Sequence, residues 1–137
     1  MKENLSSILL IDDDEATNAY NKAMVTKADV ADEVVVCDSG LKALEFLQSE
    51  IDGKHPQPTI IFLDINMPGM DGWEFLDEYD KLLNGQKADV VVVMLTTSLN
   101  PDDKSKAAKM GAKGFLSKPL TPERVQEIIK SNFPERF

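Results

Sequence analysis

The stretch Ile60–Gly72, IIFLDINMPGMDG, decides how the chain is read. Ile60 to Leu63 run straight into Asp64, and Asn66, Pro68, Gly69, Asp71 and Gly72 then break any period. An apolar run that short, closed by turn formers, predicts a buried strand ending in a loop. Asp64 therefore stands at a strand's carboxyl end, where an aspartate taken alone is a turn or cap residue. Its meaning depends on what the other strands end in.

The pattern recurs along the chain. Ile8 to Ile11 is cut off by Asp12, Asp13 and Asp14, after which Ala16, Tyr20, Ala23, Met24 and Ala28 recur at helical spacing, with Asp14 as the expected cap. Val34 to Cys37 predicts a second strand, and Asp38 or Ser39 caps a helix carrying Leu41, Leu44, Phe46 and Leu47. Ser49 to Pro58 reads as a surface connection in which His55 has no visible partner. Beyond the Asp64 loop, Trp73 opens a third helix marked by Phe75, Leu76, Tyr79, Leu82 and Leu83 and closed at Asn84-Gly85. Val90 to Leu95 suits a strand covered on both faces, followed by Thr96, Thr97 and Ser98. Asn100-Pro101-Asp102-Asp103 has the cap, first-turn proline and first-turn acids of a fourth helix reaching Met110-Gly111. Gly114 to Ser117 is a short fifth strand that Lys118-Pro119 ends, and Thr121-Pro122-Glu123 caps a fifth helix with Val125, Ile128 and Ile129 inward.

Five strands alternating with five helices predict an α/β fold, a doubly wound five-stranded parallel sheet covered on both faces, in the order 2-1-3-4-5. At 137 residues the chain accommodates one ordinary domain. Apolar content of 42% with 28% charged residues is that of a folded, water-soluble protein. A net charge of -9 argues against nucleic acid or an anionic membrane as partner and favours a cation. The single cysteine, Cys37, makes no internal disulfide, and the amino terminus lacks the apolar region of a signal peptide, so a cytoplasmic location is expected.

In a parallel sheet all carboxyl ends lie on one rim, which brings Asp12, Asp13, Asp14, Asp64, Thr96 and Lys118 together. Two carboxylates about 4 Å apart repel by roughly 4 kcal/mol at an effective dielectric near 20, so such a cluster takes up protons or holds a cation. Oxygen ligands suit Mg²⁺, and a lysine and a hydroxyl facing it suit phosphoryl oxygens. Asp64 then qualifies as a nucleophile that forms an aspartyl phosphate.

On these residues the chain resembles the receiver domains of two-component response regulators. The motifs are ILLIDD at Ile8 to Asp13, FLDINMPGMDG at Phe62 to Gly72, VVMLTTS at Val92 to Ser98 and GAKGFLSKP at Gly111 to Pro119. The resemblance implies a flavodoxin-like receiver fold, with Asp64 as phosphoacceptor and Thr96 and Lys118 as its catalytic partners. It implies Mg²⁺ (or Mn²⁺) on Asp13, Asp64 and the backbone carbonyl of Asn66, with Asp12 acting through water. It implies a sensor histidine kinase, a histidine phosphotransferase or a small acyl phosphate as donor. Thr96 and Phe115 become the switch pair, and the face of the fourth helix, fifth strand and fifth helix selects a downstream protein. The implied chemistry is self-catalysed transfer to Asp64 and hydrolysis from it, with no separate enzymatic turnover. Phe115 stands where tyrosine is frequent, Thr97 is bulkier than the usual residue after the switch hydroxyl, and the Lys118-Pro119 bond is expected to be cis. The chain stops soon after the fifth helix, so the expectation is a stand-alone receiver with no effector domain.

Three rivals share parts of this pattern. A haloacid-dehalogenase-type phosphatase would use Asp12 and Asp14 as its D-x-D, but it wants threonine or valine where Ala16 stands and an acidic pair after the lysine, and only scattered Glu123, Glu127 and Glu135 follow Lys118. A flavodoxin-like flavin carrier needs a hydroxyl and glycine loop where three aspartates would repel phosphate. A phosphorylation-independent interaction module has no use for the full set of acids, hydroxyl and lysine.

Overall fold

The strands at the centre of the sheet are apolar on both sides because both faces of the sheet are covered there. The computed structural model describes residues 5–49, 53, 58–81, 90–97 and 100–134. Strands β1 (Leu5–Ile11), β2 (Ala31–Cys37), β3 (Ile60–Asp64), β4 (Val91–Thr96) and β5 (Gly114–Ser117) run parallel in the order β2-β1-β3-β4-β5, as expected. The helices among the described residues are α1 (Glu15–Ala28), α2 (Gly40–Gln48), α3 (Gly72–Asp80), α4 (Pro101–Lys109) and α5 (Pro122–Asn132).

The strand alternation of period two divides the core. Leu9, Ile11, Ile61, Leu63, Val92 and Met94 pack under α2, α3 and Ala107 of α4. Ile8, Leu10, Ile60, Phe62, Val93 and Leu95 pack under Val25 and Ala28 of α1 and Val125 and Ile129 of α5. Each leucine or isoleucine taken fully out of water contributes about 1.5–3 kcal/mol, and β3 is buried along its whole length. The central strand is thus the least free to move, and Asp64 is its last residue.

Each of the five described helices starts on a side-chain cap. Asp14 accepts from the Thr17 N–H, Ser39 from Lys42, Asp71 from Glu74, Asn100 from Asp102 and Thr121 from Arg124. At α3 the cap is reciprocal, because the Glu74 carboxylate also accepts from the Asp71 N–H.

Some expectations need correction. The inward face of α1 is Asn18, Asn21, Val25 and Ala28, whereas Ala16, Tyr20 and Ala23 face water. The apolar spacing was misleading because the helix buries two amides, one of which holds the turn before it. Strand β2 begins at Ala31 rather than Val34, and Leu41 of α2 is exposed. Ile128 is partly buried beside Val125 and Ile129. His55, Leu82, Leu83, Asn84, Gly85, Ser98 and Glu135 lie outside the described residues. No helix of the described residues is long and apolar enough to cross a membrane.

Candidate functional site

The rim is assembled by backbone bonds between successive strand ends. Asp12 N–H donates to the Cys37 carbonyl at 3.3 Å, Ile65 N–H to Leu95 at 3.2 Å, and Lys118 N–H to Thr96 at 2.8 Å. Asn18 of α1 donates its side-chain amide to the Asp12 carbonyl at 2.7 Å, and Asp14 N–H donates to Asp12 Oδ1 at 2.9 Å. These two bonds fix the acidic turn from below and from the helix side. Asn18 escapes a reading of the sequence that looks for charged or apolar residues; its position four residues after the cap Asp14 is the one signal for it.

The loop after Asp64 is held as closely. Gly69 has φ +79, a left-handed conformation that glycine adopts at little cost. Gly72 N–H donates to the Ile65 carbonyl at 2.8 Å, and a Cβ at Gly72 would stand 2.6 Å from the Asp64 carbonyl oxygen. Only a glycine lets α3 start this close to β3. Met70 leans on Gly40 at the start of α2, where an added Cβ would meet its sulfur at 3.0 Å.

Within this frame the side chains converge. Lys118 Nζ lies 2.8 Å from Asp12 Oδ2 and 3.0 Å from Asp64 Oδ1. Asp12 and Asp64 are buried, Asp13 is exposed, and one carboxylate oxygen from each lies within 4.8 Å of the others. Three carboxylates and one ammonium leave two uncompensated negative charges, the complement of a divalent cation. Burial holds the Asp64 carboxyl above its ordinary pKa; the Lys118 hydrogen bond pulls it down and the Asp12 charge pushes it up. For Lys118 burial works against the charged form, yet bonds and charges from Asp12 and Asp64 outweigh it and its pKa is raised.

The other expected site residues fall around this cluster. Thr96 is 1% exposed at the end of β4, opposite Ser117 of β5. Asn66 is exposed two residues beyond Asp64, and its backbone N–H bonds the Asp64 carboxylate. Phe115 is half-buried on β5 against the core of the α2 and α3 side. Thr97 is exposed. Asp14 serves as the cap of α1, and its bonds from Thr17 hold its pKa below the ordinary value. The Lys118–Pro119 peptide is cis.

A family model described as the response regulator receiver domain matches residues 8–130. The chain belongs to this family. The receiver is 32% identical over 112 residues to the response regulator Rcp1 of Synechocystis, covering 81% of this chain and 75% of that protein. It is 34% identical to the nitrate/nitrite response regulator protein NarL of Escherichia coli over 90% of this chain, spanning 53% of that relative's length. Among solved structures, a two component response regulator from Cytophaga hutchinsonii superposes with a TM-score of 0.87 at 32% identity, covering 96% of this chain and 99% of its own. The chemotaxis protein CheY4 of Vibrio cholerae gives 0.78 at 26% identity, covering 94% of this chain and 99% of its own. Membership of this family implies interaction with a histidine kinase and a downstream target.

Proposed function

We propose that the receiver is a phosphorylation switch in which Asp64 accepts a phosphoryl group from a phosphohistidine on a sensor kinase or histidine phosphotransferase. The observation that supports this most is Lys118 held between Asp12 and Asp64, on a rim whose three carboxylates lie within 4.8 Å of one another. An oxygen of the Asp64 carboxylate attacks phosphorus; the O–P bond forms as the P–N bond breaks, and the imidazole leaves with the bonding pair and takes up a proton. A small acyl phosphate donates in the same way, with its carboxylate as leaving group.

Lys118 turns its ammonium from Asp64 to a phosphoryl oxygen, so that charge already in place meets the charge that arrives. The Thr96 hydroxyl supplies a second donor from the end of β4. The donor set fits a hard divalent cation, being all oxygen and short of two positive charges. Asp13, Asp64 and the Asn66 carbonyl would hold Mg²⁺ or Mn²⁺. Asp12, whose oxygens are engaged by Lys118 and the Asp14 N–H, would act through water. When bound, the cation offsets charge on the carboxylates and the phosphoryl oxygens.

Hydrolysis of the aspartyl phosphate at the same site ends the signal, so no separate substrate is turned over. Thr96 and Phe115 carry the change to the face of α4, β5 and α5, where a downstream protein binds. The net charge of -9 supports a protein rather than a nucleic-acid partner, and a cytoplasmic setting supplies the kinase.

Intact-mass measurement with acyl phosphate and Mg²⁺ tests the reading. One phosphoryl adduct is expected on the wild-type chain, absent in EDTA and absent in Asp64→Asn; unchanged labelling of Asp64→Asn overturns the assignment.

A further inference from the structure

A pocket of about 680 Å³ opens between the first turns of α1, the end of β2 and the start of α2. Its volume is in the range of small-molecule sites. Part of its lining is apolar: Ala19 and Val36 are exposed there, and the buried Cys37 adjoins them. Charge comes from Glu15 on α1 and from Asp38 and Lys42 around the turn into α2. Asp13 also reaches the pocket, but it belongs to the rim of carboxylates around Asp64 and is left out of the balance. Without it, two carboxylates face one ammonium. Lys42 Nζ lies 3.1 Å from Asp38 Oδ1, and among the described residues no cation lies within ion-pair distance of Glu15. Asn18, one helical turn beyond Glu15 and on the same face of α1, lines the pocket at 4% exposure. Its amide nitrogen is held by the Asp12 carbonyl at 2.7 Å, which turns the oxygen the other way, and that Oδ1 has no hydrogen-bond partner. A buried acceptor left unfilled costs free energy that a donor arriving from the pocket would recover.

We propose that this pocket binds a small primary aliphatic amine, with its ammonium between Glu15 and the Asn18 oxygen and its stem against Ala19 and Val36. An ammonium carries three donors and no acceptor, which suits a carboxylate beside an unfilled carbonyl oxygen. A bare divalent ion is served better by the neighbouring rim, where three carboxylates converge, than by a pocket with an apolar wall. The inference goes beyond the phosphorylation reading and does not depend on it.

Amide chemical shifts of the full chain, titrated with 1-butylamine hydrochloride at saturating Mg²⁺, test it. Saturable shifts are expected at Glu15, Ala19 and Val36 and at the side-chain amide of Asn18. Glu15→Gln is expected to weaken binding about tenfold, since a bond to a charged acceptor becomes one to a neutral amide. Val36→Lys, which sets an ammonium of the chain's own in the pocket, is expected to abolish binding. Glu15 and Val36 are both exposed, so both variants are expected to keep the wild-type spectrum away from the pocket. The absence of saturable shifts, an affinity unchanged by Glu15→Gln, or an equal response to tetramethylammonium, which has the charge but no donor, overturns the proposal. Shifts that appear only in EDTA overturn it as well, because the amine would then be standing in for a metal ion on the rim.

Discussion

Asp64 is placed where its charge is costly. Two carboxylates share the Lys118 ammonium, and burial pushes the Asp64 carboxyl above the ordinary 3.8. A carboxyl whose pKa is higher folded than unfolded favours folding when protonated. That stability is complete below 3.8 and is lost as pH rises through the folded value. Asp64→Asn, a lasting mimic of the neutral form, is expected to raise Tm at pH 7 in EDTA, by about 4 °C for each kcal/mol in a domain of this size. The gain should shrink as melts are repeated at falling pH, when the wild-type carboxyl takes up its proton. A lower Tm for Asp64→Asn at pH 7 would mean that the pairing with Lys118 outweighs burial. The position of Asp64 at a strand end is legible in the sequence. Its bond to Lys118 is a tertiary distance, and so is the hold of Asn18 on the Asp12 carbonyl; neither leaves a trace in spacing.

Among the elements, helix starts and strand cores are the most legible, because caps and β-branched runs act locally. Asp14, Asn100 and Thr121 each cap as their sequence context predicts, and β5 has the expected bounds. The inward face of α1 is not legible, since Asn18 and Asn21 occupy positions that an apolar period would assign to leucine or valine. For α3 the reciprocal cap carries a measurable share of stability. Asp71→Ala removes an acceptor for the Glu74 N–H and is expected to cost about 1 kcal/mol in urea unfolding. Because α3 starts directly after the Asp64 loop, the same change is expected to slow labelling of Asp64 by acyl phosphate. A loss of stability with unchanged labelling would separate the cap from the loop.

At the scale of the whole molecule, parallel strands put every carboxyl end on one rim, and the order β2-β1-β3-β4-β5 sets β1, β3, β4 and β5 side by side there. This much follows from alternating strands and helices, which is why the candidate site is foreseeable from the sequence while its hydrogen bonds are not. A rim short of two positive charges is expected to link folding to a divalent cation. Mg²⁺ at 100 times its Kd should stabilise the wild-type chain by about 2.7 kcal/mol. In Asp13→Ala that gain should disappear, while the melting temperature in EDTA rises because one repelling carboxylate is gone. Thermal melts of both proteins, with and without Mg²⁺, check the two effects together; an Asp13→Ala chain less stable than wild type in EDTA would count against the repulsion.

Trp73, in the first turn of α3, carries the Lys106 ammonium of α4 at 4.6 Å from its ring centroid. It is the chain's one tryptophan. Indole emission depends on charge close to the ring, so unlabelled protein carries an optical gauge of how α4 sits. Rapid mixing with a phosphoryl donor then tests whether the helix responds in solution, with no dye and no partner added.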